Sequence, residues 1–463
     1  MPAKSQHNTA DRPLRVGIVT LGCDKNTVDN EYLAGLLSEA GCEIVTTRRD
    51  GDAPLDAVVV TTCGFIGDAR EQSVDAIVQL AEDKRLRGDP RRLFVAGCLS
   101  QRCGEELARE IPEIDGLVGV GQFEQMAKMI LNEETAGGGA VAVEAVPRVD
   151  IYRLIKRRPL EPRPYAFLKI GDGCDHNCTF CSIPLMKGRL RSVPPEIALA
   201  EARALVGRGA RELNLVAQDL SAWGTDRWPN WRLPRLVREI CRIPGDFWVR
   251  CLYVYPGQVT DELIEVMASE PKVVPYLDIP LQHLDPDLLR RMKRPFHERN
   301  TFELVERLRA AVPGVTLRTT MVIGFPGETA AAQKNLIGGL ERIRFDRLGA
   351  FEYSPEPDTP AARMRPQVSA RTRRRRWHAV MAAQAAISAE LNQARIGRRE
   401  RVLIEGFDAE RGAWVGRSAA EAPEVDGKIF VTGDGALEPG AFVDVEITAA
   451  ETYDLHAQAR RPR

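Results

Sequence analysis

Cys174, Cys178 and Cys181 stand within eight residues, in the stretch GCDHNCTFC, at the spacing C-x3-C-x2-C. Thiolates that close can wrap one metal centre, because they are the soft ligands that iron–sulfur clusters and zinc select. Three is one short of the four-cysteine set that closes a structural zinc site or an electron-transfer cluster. If they hold a 4Fe–4S cluster, one iron has no protein ligand. An open iron can bind a substrate or cofactor, which favours catalysis over scaffolding. A zinc knuckle would need a fourth ligand, and His176 lies between the cysteines and could be offered.

The elements around this stretch alternate strand and helix. RVGIVTLGC, DAVVVTTC and RRLFVAGC each read as a short buried strand. Helical patterns lie between them, over 28–40 and 69–83, which is the rhythm of a doubly wound parallel sheet. Each of the three strands ends in a cysteine: Cys23, Cys63 and Cys98. Ligands gather at the carboxyl ends of strands in such sheets, so the three could form a second metal site. Three buried structural cysteines would look the same, and placement alone leaves both readings open. Cys42, at a predicted helix end, and Cys103, inside a helical pattern, read as structural.

Residues 1–12 read as a disordered tail, 13–132 as the first domain and 133–164 as a Gly-rich, then basic and Pro-rich linker with room for an edge strand. From 165 to 396 a strand, AFLKIGDGC, leads into the cysteine loop, and five helix–strand units follow: ELNLVAQD, FWVRCLYVYP, VPYLDIPLQ, TLRTTMVIGFPG and DRLGAFEYSP. Six strands with helical crossovers predict an open or partial TIM-type barrel, whose chemistry sits at the C-terminal mouth. A long helix over 371–396 opens with RTRRRRW, a charge cluster that reads as a solvated face or as a nucleic-acid contact. From 397 to 463 short strands separated by Gly and Pro predict a small antiparallel β-barrel.

Composition bounds the class. The chain has 463 residues, enough for about three domains. Lys+Arg is 64 against Asp+Glu 65, a formal charge of -1, so net charge argues for neither a nucleic-acid binder nor a membrane-surface protein. No uninterrupted apolar run of about 18 residues predicts a transmembrane helix, and the N-terminus lacks a signal core. Ten cysteines in such a chain are better read as ligands or catalytic thiols than as disulfides, which predicts a reducing, cytoplasmic setting.

GCDHNCTFC, with Phe180 before the last cysteine, resembles the signature of radical S-adenosylmethionine enzymes. TLGCDKNTVDNE, VVVTTCGFI, VAGCLSQR and IPLMKGRLRS extend the resemblance to the methylthiotransferases of that superfamily, and the last domain is similar to a TRAM domain. The resemblance covers nearly the whole chain. It implies two 4Fe–4S clusters, one on Cys174, Cys178 and Cys181, and an auxiliary one on Cys23, Cys63 and Cys98 that carries the sulfur to be inserted. It also implies S-adenosylmethionine in two roles, as methyl donor and as radical source, with an external electron donor and sulfur source. Cys103 stands just after GCLSQR, where the family has a non-ligand aromatic.

Cofactor contacts implied by the resemblance are Phe180, Glu212, Gln218, Gly324, Pro326 and Gly327, with Asp219 beside Gln218 at one strand end. Gly324, Pro326 and Gly327 form a turn where backbone can approach a cofactor closely. Asp278 and Gln282 are candidates for the mouth. Each could equally be a turn or cap residue. His283 reads as a proton carrier or as a hydrogen-bonded structural histidine.

The family divides between tRNA adenosines and an aspartate β-carbon of ribosomal protein S twelve. Residues 401–457 hold twelve acids and four bases, a balance of −8. Such a barrel repels phosphate and attracts a basic ribosomal protein, so direct RNA binding is not expected. Acidity that merely aids solubility is the other reading. The Lys25–Asn26 pair, YLDIPLQH and RSAAEAPEVDGKIF resemble the ribosomal-protein branch. The alternatives are a tRNA adenosine methylthiotransferase, or a non-enzymatic iron–sulfur electron carrier or scaffold.

Overall fold

Aliphatic and β-branched runs build three sheets in the computed structural model, which describes residues 12–46, 52–131, 140–143, 157–294, 298–433 and 437–460. The chain divides into two units. One comprises Met1–Pro162 with Leu185–Gly188, the other Arg163–Pro184 with Arg189–Arg463.

The first unit carries a six-stranded sheet of β1 (Arg15–Thr20), β2 (Glu43–Val45), β3 (Ala57–Thr62), β4 (Leu93–Gly97), β5 (Ile114–Val118) and β6 (Ala140–Ala142). Its order is β2-β1-β3-β4-β5-β6 and every pairing is parallel. AVVVTT of β3 and LFVAG of β4 are buried throughout, as strands covered on both faces must be. Helix α1 (Asp24–Glu39) starts immediately after Cys23, earlier than the predicted 28. Its first turn carries polar residues that are nevertheless buried, Asp24, Lys25 and Asn26, so apolar periodicity could not mark it. Helix α2 (Gly67–Arg87) ends at Gly88 in the left-handed conformation that caps helices. Helix α3 spans Cys98–Glu110. The expected tail, apart from its last residue, and most of the expected linker lie outside the described residues; β6 is the edge strand inside that linker.

The second unit contains β7 (Tyr165–Lys169), a short ladder of β8 (Gly171–Asp172) with β9 (Arg191–Ser192), then β10 (Glu212–Val216), β11 (Trp248–Cys251), β12 (Val273–Asp278), β13 (Thr316–Ile323) and β14 (Arg347–Glu352). The main sheet runs β14-β13-β12-β11-β10-β7, all parallel and with its two edges unjoined. That is the open barrel predicted, with the cysteine loop at the C-terminal end of its first strand. At the start of the helix Ala370–Gln393 only Arg376 is buried, paired with Glu328, and Trp377 Nε1 donates to Ala350 O; Arg371, Arg374 and Arg375 are exposed, Arg374 pairing with Glu352.

The last strands, β15 (Arg399–Asp408), β16 (Ala413–Arg417), β17 (Ile429–Thr432), β18 (Phe442–Ala450) and β19 (Leu455–Ala459), close a barrel in the order β15-β16-β17-β19-β18. β19, LHAQA, is too weakly apolar to stand out in sequence. Its pairing with β17 is parallel, where an all-antiparallel barrel was expected. Val402, Ile404, Ile429, Val431, Val445, Ile447 and Leu455 fill the interior, each contributing roughly 1.5–3 kcal/mol by burial.

This barrel is fastened to the N-terminal ends of the parallel strands. Glu212, first residue of β10, accepts from Arg250 Nε at 2.7 Å and Arg417 Nη2 at 2.6 Å. Glu421 accepts from Arg347 at 2.7 Å and Arg395 at 2.5 Å. Asp426 accepts from the Tyr276 hydroxyl at 2.7 Å.

Candidate metal centres and cofactor site

Strand β7 delivers the chain to Gly173, whose φ of 79° turns it into the cysteine loop. Lys169 and Asp172, both fully buried, pair at 3.1 Å and tie the strand end to the loop. Thr179 fastens the far side: its N donates to Met292 O at 3.1 Å, its Oγ1 to Arg291 O at 2.9 Å, and its O accepts from Ala361 N at 2.9 Å. Within the loop Cys181 N donates to Cys178 O at 3.1 Å and His176 N to Cys174 Sγ at 3.5 Å. Burial pushes the Cys174 thiol up to about 11 and the Cys181 thiol up to about 12. Such thiols stay protonated at neutral pH unless a metal takes the proton's place.

His176 is not a spare ligand. Its Nε2 lies 2.6 Å from Asp219 Oδ2, and its ring stacks on Tyr255 with centroids 3.8 Å apart. That takes Nε2, so a zinc site would have to use Nδ1. Among the described residues no three His, Cys, Asp or Glu side chains converge closely enough for one ion. A cluster asks for something else: its three cysteines ligate three different irons, so the sulfurs ring the cube instead of meeting at a point.

Gln218 follows the C-terminal end of β10, and its Oε1 is buried without a protein partner. An orphaned acceptor at the mouth fits a ligand that brings a donor, as the amino group of S-adenosylmethionine would. Glu212 does not share that position. It lies at the opposite end of the same strand, wholly buried, with both oxygens taken by Arg250 and Arg417. Burial opposes its ionisation, but the two guanidiniums prevail and hold it below the usual carboxylate range. The expected cofactor contact through Glu212 is therefore corrected to an internal ion triad.

Other candidates are occupied with structure. Phe180 packs edge-on to Phe325, with centroids 6.5 Å apart. Gly324 and Gly327 have φ of 78° and 89°. The space a Cβ would take is filled by the Arg373 stem at Gly324 and the Arg291 guanidinium at Gly327, so arginines approach closely there. Pro326, between them, is buried. Asp278 is 1% exposed, accepts from Tyr253 N at 3.0 Å and Arg318 Nη1 at 3.0 Å, and so faces inward to β13, not to a substrate. Gln282 is half-buried with φ of 75°, its backbone bonded to β13. His283 is buried and accepts Asp285 N at Nδ1; burial lowers it to about 4, which keeps it neutral and suits the structural reading.

In the first unit Cys23 caps the start of α1, Cys63 follows β3, and Cys98 opens α3 after β4. Gly22, at φ 101°, lies against the Cys63 side chain: a Cβ there would meet Cys63 Cβ at 3.0 Å. Gly64 lies against the Cys98 backbone, with 2.8 Å from its Cβ position to Cys98 C and O. Two glycines thus let the three strand ends crowd together, a cradle that Cβ atoms would spoil. Burial pushes the Cys63 thiol up.

Sequence reasoning missed two residues that frame this edge. Asn26 Nδ2 donates to Leu21 O at 2.7 Å and Thr62 O at 3.2 Å, tying the ends of β1 and β3. Ser73 Oγ accepts from Cys63 N at 3.1 Å and also bonds Ala69 O at 2.8 Å. The Lys25–Asn26 spelling was a signal for the first; nothing in sequence marked Ser73. Cys103 sits at a kink in α3, with φ −132°, and packs against the sheet core, and Cys42 is buried, as their structural reading requires.

Comparison with known proteins follows the same division. Residues 15–119 match the Uncharacterized protein family UPF0004, 168–337 the Radical SAM superfamily and 396–459 the TRAM domain. The chain is 43% identical to the ribosomal protein uS12 methylthiotransferase RimO of Trichlorobacter lovleyi, over 96% of this chain and 98% of that one. It is 45% identical to RimO of an Anaeromyxobacter species (97% and 94% covered) and 42% to that of Geobacter sulfurreducens (95% and 97%). Among solved structures, the radical S-adenosylmethionine methyltransferase TsrM of Kitasatospora setae shares the fold at a TM-score of 0.57 and 16% identity, over 81% of this chain and 89% of that one.

Proposed function

The chain belongs to the RimO family of radical S-adenosylmethionine methylthiotransferases, and from that premise we propose that it methylthiolates the β-carbon of one aspartate in ribosomal protein uS12. The observation that carries this is the full-length match to several RimO proteins, together with a thiol triad at the strand ends of each of two parallel sheets. Cys174, Cys178 and Cys181 would hold the radical-generating 4Fe–4S cluster, and Cys23, Cys63 and Cys98 the auxiliary one. Bound S-adenosylmethionine and the clusters supply the hydrogen-abstracting radical and the methylthio group.

The chain's own part is to bind and orient. Gln218 Oε1 would accept from the cofactor's amino group. Gln282, at the mouth, is the remaining candidate for the substrate side. The electron donor and sulfur source are external. The C-terminal barrel is the proposed contact for uS12, through acids its ion pairs leave exposed, such as Glu410, Glu438 and Asp444. A tRNA substrate is the second reading, disfavoured by the acidic balance of the barrel.

The test is reconstitution with iron and sulfide, reduction, and incubation with S-adenosylmethionine and either uS12 or tRNA. The proposal expects 5′-deoxyadenosine and an SCH2 mass increment on one uS12 aspartate. An increment on tRNA alone would overturn the substrate. Absence of 5′-deoxyadenosine would leave only an electron carrier or scaffold. Replacing Cys174, Cys178 and Cys181 by Ala should abolish cofactor cleavage while roughly half the iron remains.

A further inference from the structure

Arg294 is buried, 7% exposed, and among the described residues it forms no ion pair with a carboxylate. An uncompensated buried cation is costly, so its surroundings should supply negative charge. Its Nη1 points at Cys178 Sγ, 3.8 Å away, and its Nη2 donates to Pro280 O. Its guanidinium lies over the Tyr255 ring, 4.2 Å from the centroid. The other face of the row is closed by His176, stacked on Tyr255 at an interplanar angle of 12° and anchored to Asp219 Oδ2. Asp219 is held in turn: its Oδ1 accepts from Ser221 N at 3.0 Å and Ser221 Oγ at 2.5 Å, and that Oγ accepts from Tyr255 N at 3.0 Å. Each member of the row fixes the next, and the row ends with the Arg294 guanidinium beside Cys178 Sγ.

We propose that Arg294 is a positioning residue that raises the reduction potential of the cluster held by Cys174, Cys178 and Cys181, with Tyr255, His176 and Asp219 holding its guanidinium in place. The inference rests on the reading of that triad as a 4Fe–4S site. Reduction adds one electron, taken from an external low-potential one-electron donor, and no atoms. The added negative charge falls beside a guanidinium that cannot lose its proton, and N–H donation to a ligand sulfur stabilises the electron-rich state. The thiolates and the cluster in turn supply the counter-charge that the protein withholds from Arg294.

The experiment is a reductive titration of the reconstituted full chain without S-adenosylmethionine, in a Cys23→Ala, Cys63→Ala, Cys98→Ala background so that one cluster is observed. Potential is read from the electron paramagnetic resonance signal of the reduced cluster, and iron is counted in each sample. Arg294→Met should make reduction about tenfold less favourable, a fall of ~59 mV for a one-electron couple. Arg294→Lys should restore most of that, because it keeps the charge. An Arg294→Met cluster with full iron and an unchanged potential overturns the inference. If that variant loses iron, Tyr255→Leu, which frees the guanidinium while keeping it, should shift the potential in the same direction, and no shift there overturns the inference equally. Failure of the parent to bind iron sinks the triad's reading and this inference with it, and is told apart because no variant is needed to see it.

Discussion

Replacing Glu212 by Gln separates a structural role from a cofactor contact. Both carboxylate oxygens of Glu212 are engaged, with Arg250 Nε at 2.7 Å and Arg417 Nη2 at 2.6 Å, and the side chains are 0%, 0% and 2% exposed. Glutamine keeps the volume but removes the charge, and its amide NH2 must face one of the two guanidiniums. Breaking a buried pair from one side costs about 3–5 kcal/mol. Arg417 retains Glu405 at 2.6 Å, so the low end, about 3 kcal/mol, is expected. At about 2.1 cal/mol/K of unfolding entropy per residue, a unit of roughly 300 residues loses about 1.6 °C of Tm per kcal/mol, so Glu212→Gln should melt ~5 °C lower. Calorimetry of the metal-free full chain reads that fall. Affinity for S-adenosylmethionine, measured on the reconstituted protein below the new Tm, should be unchanged. An unaltered Tm with weakened cofactor binding would refute the reasoning and restore Glu212 to the cofactor site.

Acid should loosen the same fastening. The guanidiniums around Glu212 and Glu421 overcome burial and hold both carboxyls below their ordinary 4.5. Groups so depressed contribute stability that is complete above that value and is lost as pH falls toward their folded-state values. Tm measured from pH 7 to pH 3 should drop below about pH 4.5, and a flat profile would count against the triads. Gly64→Ala should push the Cys63 loop off the Cys98 backbone, which lies 2.8 Å from the new Cβ; reconstituted iron should fall by roughly half while 5′-deoxyadenosine formation persists. Gly324→Ala combines a left-handed backbone with a collision against the Arg373 stem at 2.2 Å. It should cost about 1–3 kcal/mol in thermal melting, and an unchanged Tm would show that the turn adapts freely.

What could be read without the structure was whatever is local. The spacing of Cys174, Cys178 and Cys181 is a property of one loop, and the continuous apolar runs of β3 and β4 announce strands buried on both faces. The ends of those strands carried Cys63 and Cys98 to one edge by topology alone. What stayed hidden depends on distant partners. Glu212 alternates inward on its strand, but only the barrel, some two hundred residues later in sequence, supplies Arg417. Ser73 holds Cys63 through backbone bonds that leave no spelling. Counting the acids of the barrel treated them all as surface, whereas Glu421, Glu424 and Asp426 face an arginine or tyrosines of the parallel-strand domain, and Glu405 pairs with Arg417 inside the barrel. The charge argument for a protein substrate therefore rests on fewer groups than the sequence total suggests.

The bolting of the barrel to the N-terminal strand ends makes the parallel strands a spacer of fixed length. From Glu212, at the fastened end, to Gln218, at the mouth, is six residues, about 20 Å of extended chain. A substrate gripped by the barrel must bridge at least that span to present a carbon at the cysteine loop. A free amino acid or a lone nucleoside is too short to do both at once. A folded protein with a projecting loop can, so if uS12 docks on the barrel as proposed, reach alone would exclude such small molecules.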